Sequence, residues 1–115
     1  KRKTRYGWGD IKIVKRRNKV IDEFSRNVKA RFPDSKIILF GSRARGDNLK
    51  CSDYDFVVIS SQFAQVKMPR RLEMVYKLWN DKLNCDILCY TYSEFEVFSK
   101  RITIARKALE EGIVL

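Results

Sequence analysis

Asp53 and Asp55, one residue apart at the head of the apolar run Phe56-Val57-Val58-Ile59, are the residues best placed to do chemistry. Ahead of them, Ile37-Ile38-Leu39-Phe40 runs into Gly41-Ser42 and then Arg43-Ala44-Arg45-Gly46. Side chains at i and i+2 of a strand share a face, so the two carboxylates project side by side and repel unless a cation lies between them. Hard divalent ions with oxygen ligands, Mg²⁺ above all, meet that need and keep positions open for phosphate oxygens. A glycine-led turn with backbone N–H groups attracts anions for the opposite reason. A metal-holding wall beside a phosphate-holding turn suits phosphoryl or nucleotidyl transfer, in which two metals clamp the attacking and leaving oxygens. The chain has no histidine, so the reaction falls to carboxylates, metals or backbone groups. No G-x-x-x-x-G-K-[ST] occurs, which weakens a P-loop kinase or NTPase reading.

These groups need a sheet to position them. Lys36–Phe40 and Asp53–Ile59 read as strands; the second is apolar on both faces beyond its aspartates, as expected of a central strand covered on two sides. If the two pair antiparallel, Gly41-Ser42 comes to face Asp53 and Asp55 across one edge. Gly41 permits a turn that a side chain would obstruct, and Ser42–Arg45 reads as a short helix closed by Gly46. Cys85–Tyr90 is a third strand with Asp86 near its start. A strand, helix and strand in succession usually make a parallel crossover, which delivers Asp86 to the same edge, although Asp81 is close enough in sequence to compete for that place.

The flanking helices follow from apolar spacing. Val20, Ile21, Phe24, Val28 and Phe32 recur at helical steps until Pro33-Asp34. A helix of roughly four turns is expected from the stripe Met68, Leu72, Val75, Trp79 and Leu83, with Arg70, Arg71, Glu73, Lys77 and Asp81 elsewhere on its surface. Ser93 and Glu96 form a capping box opening a helix over Phe95, Phe98 and Ile102. A last helix through Ile104, Ala105, Ala108 and Leu109 stops at Gly112, expected in the left-handed C′ conformation, and Ile113-Val114-Leu115 adds a short strand. The expected class is α/β (α+β), a small mixed central sheet of three or four strands flanked by helices.

The totals bound what such a domain does. The 115 residues allow one domain, and 44% apolar with 34% charged residues describes a folded chain. A net charge of +11 attracts polyanions such as nucleotides or RNA. With no apolar run near the ~18 residues of a membrane span and no signal-peptide core, a cytoplasmic location is expected. Cys51, Cys85 and Cys89 match no zinc spacing; Cys85 and Cys89 flank Ile87 on one strand face, which suits packing, a Cys51–Cys85 disulfide being the alternative. Lys1 to Lys19 carries nine basic residues against Asp10. It reads as a basic arm over 1–19, either solvated or, with Tyr6 and Trp8, a contact for nucleic acid or a partner, ahead of a catalytic domain over 20–115.

Gly41-Ser42, then ten residues, then Asp53-Tyr54-Asp55-Phe56, resembles the Gly-Ser…Asp-x-Asp signature of the nucleotidyltransferase superfamily that includes DNA polymerase beta. The longer match, Phe40 to Gly46 with Ser52 to Asp55, resembles the minimal nucleotidyltransferases of prokaryotes, and the likeness extends from about Val20 to Leu115. It implies the polymerase beta-like fold, with Asp53 and Asp55 as ligands of the metals that hold a triphosphate and Asp86 as the third carboxylate, completing the metal that activates the attacking hydroxyl. It further implies that Ser42 and the Gly41 backbone hold the terminal phosphates, with Arg43 and Arg45 either supporting them or simply ion-paired. Members of this class lack the extra domains that grip a long nucleic acid, so a partner brings the acceptor. The implied partner is a helical HEPN toxin and the implied reaction is transfer of AMP from ATP to one of its hydroxyls, that of a tyrosine. A non-catalytic binding antitoxin, and nucleotidyl transfer to RNA or a small molecule, are the alternatives. A homodimer or hetero-complex is expected, because so small a chain must cover apolar residues on both strand faces.

Overall fold

The computed structural model describes residues 18–46, 48, 52–101 and 104–115. The stretch 1–17, Cys51 and Ile102 lie outside these, so the readings that fall on them do too; Asn18 and Lys19 belong to the first helix and not to an arm. That helix, α1 (Lys19–Arg31), begins where Asn18 accepts the Ile21 N–H at 2.9 Å. Asp22 stands in its first turn and Lys29 and Arg31 in its last, each at the end whose dipole favours its charge. Ile21, Phe24 and Val28 form its buried stripe, and Phe32 ends it before Pro33, which cannot continue a helix.

Strands β1 (Lys36–Phe40), β2 (Tyr54–Ile59), β3 (Cys85–Tyr90) and β4 (Ile113–Val114) form one mixed sheet in the order β3-β2-β1-β4. β1 runs antiparallel to both β2 and β4, and β2 runs parallel to β3. Helices α2 (Ser42–Arg45), α3 (Met68–Tyr76), α4 (Tyr92–Ser99) and α5 (Ile104–Glu111) follow among the described residues, with a 3₁₀ turn at Ser61–Phe63. The period-two alternation of the strands divides the core into two layers. Tyr54, Phe56 and Val58, with Ile37, Leu39 and Ile87, pack with α1 and α3. Val57 and Ile59, with Ile38 and Phe40, pack with α4 and α5. Among the described residues no helix is long and apolar enough to cross a membrane.

Four expectations are corrected. α3 ends at Tyr76, well short of Leu83. Beyond it the N–H groups of Leu78 and Trp79 turn back to carbonyls three residues earlier, at 2.9 and 3.0 Å. Asn27 takes the Leu78 carbonyl at 3.1 Å and Asp81 accepts the Leu83 N–H at 3.0 Å. The unwound segment lays Trp79 against Tyr54, Phe24 and Phe56, with ring centroids at 5.2, 5.4 and 5.6 Å. Helical spacing in the sequence thus belonged to core residues that a loop delivers, while Met68 at the other end is 38% exposed.

The capping box of α4 is made by Thr91 and Glu94, not by Ser93 and Glu96, because β3 ends at Tyr90 and the helix starts immediately after. Gly112 does not take a positive φ; only Gly41 and Gly46 do among the described glycines. Its role is close approach, since a Cβ there would overlap Ile38 and the Ala108 carbonyl. Lastly, Arg71 is not on a solvated face but 6% exposed. Its guanidinium meets both Glu94 oxygens at 2.6 and 3.0 Å and the carbonyls of Val66 and Cys89 at 2.7 and 3.2 Å. Cys85 and Cys89 are buried free thiols, pushed up to about 12 chiefly by burial, as packing residues rather than reactive ones would be.

Candidate active site

The end of β1 and the beginnings of β2 and β3 meet at one edge of the sheet. There Phe40 pairs with Asp55, and Asp55 pairs with Asp86. Partners in parallel register point to the same side, so Asp55 and Asp86 stand together on the face covered by α4 and α5. Asp53, two residues before Asp55, leads into β2 at the same edge; Asp53 and Asp86 are exposed and Asp55 is half-buried. Burial pushes Asp55 above the ordinary carboxylate range, and the charges of Asp86, Asp53 and then Glu111 add to that while Arg45 opposes it. These four carboxylates and one guanidinium share a single field. Asp81 is outside it, committed to the turn at Leu83.

Gly41 turns the chain at φ 76°, a conformation that side chains rarely adopt. A Cβ at this position would overlap the Asp55 carboxylate, so the absence of a side chain lets the turn close down on that residue. The Gly41 carbonyl accepts from both Ala44 and Arg45 N–H at 3.0 Å, and Gly46 at φ 86° closes α2 onto the Ser42 carbonyl at 2.9 Å. Ser42, the first residue of α2, has no intrahelical acceptor for its N–H, and it directly follows Gly41, which the β1–β2 pairing brings against Asp55.

The two arginines part company. Arg43 donates through Nε and Nη2 to the Ser52 carbonyl at 3.1 and 2.9 Å and lies 4.1 Å over the Tyr54 ring, bracing the chain as it enters β2. Arg45 reaches Glu111 at 3.1 Å. The same Glu111 oxygen accepts the Gly41 N–H at 3.2 Å. Glu111 closes the stretch that resembles the family but carries no signal of a site role in the sequence; its position follows from the pairing of Leu39 with Ile113, since two residues outward on each strand Gly41 and Glu111 face each other.

The donor set suits a hard divalent ion in kind: all oxygen, of one charge, at an edge open to solvent. Among the described residues no three acidic, cysteine or histidine side chains converge on one point. The exposed Asp53 and Asp86 can change rotamer without disturbing the core.

A mixed sheet between two helical layers, with carboxylates on neighbouring strands facing a glycine-led turn, defines a nucleotidyltransferase-type domain. The chain belongs to the nucleotidyltransferase domain family, whose model matches residues 21–113. It is similar to two chains of Methanocaldococcus jannaschii, each named a “putative protein adenylyltransferase”. One is 36% identical over 69 residues, 52% of this chain and 47% of the relative. The other is 37% identical over 101 residues, 84% of this chain and 95% of the relative. The chain thus spans about half of the first relative and nearly all of the second. The crystal structure of a chain described as a “putative nucleotidyltransferase” from Sulfolobus solfataricus superimposes with a TM-score of 0.63 at 25% identity, covering 84% of this chain and 76% of that one.

Proposed function

We infer that this domain transfers AMP from ATP to a hydroxyl of a partner protein, with Asp53, Asp55 and Asp86 as its catalytic carboxylates. The observation that carries the reading is the register of Asp55 with Asp86 on parallel strands beside the Gly41-Ser42 turn. The names borne by the two Methanocaldococcus relatives favour a protein as acceptor over RNA or a small molecule. A tyrosine hydroxyl of a HEPN-type toxin is the acceptor that the resemblance of the signature motifs points to.

Asp53 and Asp55 would hold Mg²⁺ with the triphosphate, and Asp86 would complete a second site beside the acceptor. Bound there, Mg²⁺ supplies charge neutralisation for the phosphates and polarises the reacting oxygens. The chain's own residues do the rest. The Gly41-Ser42 turn and Arg45 hold the β- and γ-phosphates, and the turn fixes the α-phosphate in line with the acceptor. The acceptor oxygen bonds to the α-phosphorus as the bond to the bridging oxygen breaks; its proton passes to the Asp86 carboxylate, and pyrophosphate leaves.

The test is incubation with radiolabelled ATP and Mg²⁺, with and without the protein encoded beside this chain, following label onto protein and RNA separately. Label on the neighbour that vanishes with Asp53→Ala is the expected result. Label on RNA alone would assign a different acceptor. Neutralisation of the partner by Asp53→Ala as well as by the wild type, with no label transferred, would make this a binding antitoxin.

A further inference from the structure

Glu111 is a fourth carboxylate at an edge already crowded with three, and it takes no part in the transfer step. Placing it there raises the local negative charge exactly where a triphosphate must arrive, so electrostatics alone would select against it. Its contacts show what offsets that cost. One oxygen, Oε2, accepts both the Gly41 N–H at 3.2 Å and Arg45 Nη1 at 3.1 Å. The carboxylate therefore ties the glycine turn and the arginine beyond it to a single point.

That point is itself fixed. Glu111 ends α5, and the next residue, Gly112, lies so close to β1 that a Cβ would meet Ile38 and the carbonyls of Ala108 and Leu39. The Gly112 N–H bonds to the Ala108 carbonyl at 2.8 Å, and Ile113 then pairs with Leu39. The last turn of α5 is thus locked to the strand that carries the turn. Arg45 is a long side chain on a four-residue helix, its side chain 42% exposed. Left to itself it would lose rotamer freedom on gripping phosphate, at a cost of about 1–2 kcal/mol in the general case.

We propose that Glu111 is a positioning residue for the triphosphate: it preorganises Arg45 and the Gly41 turn so that both face the phosphates before nucleotide arrives. This rests on the nucleotidyl-transfer reading of the same edge. Glu111 touches neither metal nor phosphate in this role and acts through Arg45 and the Gly41 N–H. A carboxylate serves better than an amide because a charge-assisted pair with a guanidinium is shorter and stronger than a neutral one.

The experiment titrates Mg²⁺·ATP and, separately, adenosine into the wild type, Glu111→Gln, Arg45→Gln and the double variant, with thermal unfolding of each recorded alongside. Gln keeps an acceptor for the Gly41 N–H and removes the charge that holds Arg45. The expected result is Mg²⁺·ATP affinity about tenfold weaker in Glu111→Gln, adenosine affinity unchanged, and little further loss in Arg45→Gln when Glu111→Gln is added, as coupled residues require. Glu111→Asp, which keeps the charge on a shorter stem, should recover part of the loss. ATP affinity that stays equal or rises in Glu111→Gln overturns the proposal and marks the residue as a competitor of phosphate. Equal weakening of ATP and adenosine, or additive losses in the double variant, overturns it in favour of a general structural role. Failure of the wild type to bind Mg²⁺·ATP at all would overturn the nucleotidyl reading together with this one.

Discussion

The two ends of the sheet hold the same residue type and treat it in opposite ways. Where β2 and β3 finish, Asp34 and Glu94 are both answered. Asp34 accepts Ser60 Oγ and Ser61 Oγ at 2.6 Å and the Ser61 N–H at 2.8 Å. Glu94 is paired through both oxygens with Arg71 and also receives the Thr91 N–H at 2.9 Å. Hydrogen bonds from Arg71 hold Glu94 below the ordinary carboxylate range, and for Asp34 the serine hydrogen bonds together outweigh an opposing push from burial. Where β2 and β3 begin, the charges of Asp86 and Asp53 add to burial at Asp55 while Arg45 opposes them, and Asp55 is raised instead of lowered. A satisfied carboxylate is part of the scaffold. A set left in mutual repulsion is what the proposed metal site requires of its carboxylates.

The comparison breaks most decisively through chemistry. Asp53→Asn should lower nucleotidyl transfer by roughly a thousandfold, the loss of several kcal/mol of charge stabilisation in the transition state, with thermal stability unchanged or slightly higher. Transfer assayed with labelled ATP and stability by calorimetry check the two halves; retention of activity within tenfold would remove Asp53 from the site. At the opposite end the pattern should reverse. Glu94→Gln leaves Arg71 buried without its charge partner and should cost about 2–3 kcal/mol, toward the low side of a buried pair because Glu94 itself is partly exposed. Urea unfolding measures that loss, and transfer assayed well below the unfolding temperature should be untouched.

The difference between the two ends also decides what could be read from the sequence. The edge with the aspartates was legible because strand alternation and the glycine turn act over a few residues. Asp53, Asp55, Gly41, Gly46 and the central place of β2 all follow from neighbours in the chain. Arg71 and Glu94 were not legible as a pair. They lie on different helices, and an arginine at a polar helical position looks the same whether it is solvated or buried until its partner across the fold is known. The same holds for Glu111, whose meaning rests on the β1–β4 register. Trp79 misled for the converse reason: its spacing was helical, but its partners in α1 and β2 pull it into the core from a loop.

The smallest effect is the one that sharpens the comparison most, because its sign differs between the two ends. For Asp34 and Glu94 the folded state lowers the pKa, so their contribution is present above the unfolded value, near pH 4, and is lost as pH falls through the folded one. For Asp55 the folded state raises the pKa, so the folded chain binds more protons than the unfolded one. On that account stability is complete below about pH 4 and declines as pH rises toward the folded value. Measured in chelator, Asp55→Asn should therefore be more stable than the wild type at pH 7 by less than about 1 kcal/mol, with the advantage gone by about pH 3. Glu94→Gln should be less stable at pH 7, with its deficit shrinking over the same descent. Added Mg²⁺ should remove most of the Asp55→Asn advantage and leave the Glu94→Gln deficit where it was, since only the first carboxylate belongs to the proposed metal site. Unfolding curves that shifted in the same direction for both variants, or that ignored Mg²⁺ at Asp55, would show that the two ends of the sheet do not differ as their contacts indicate.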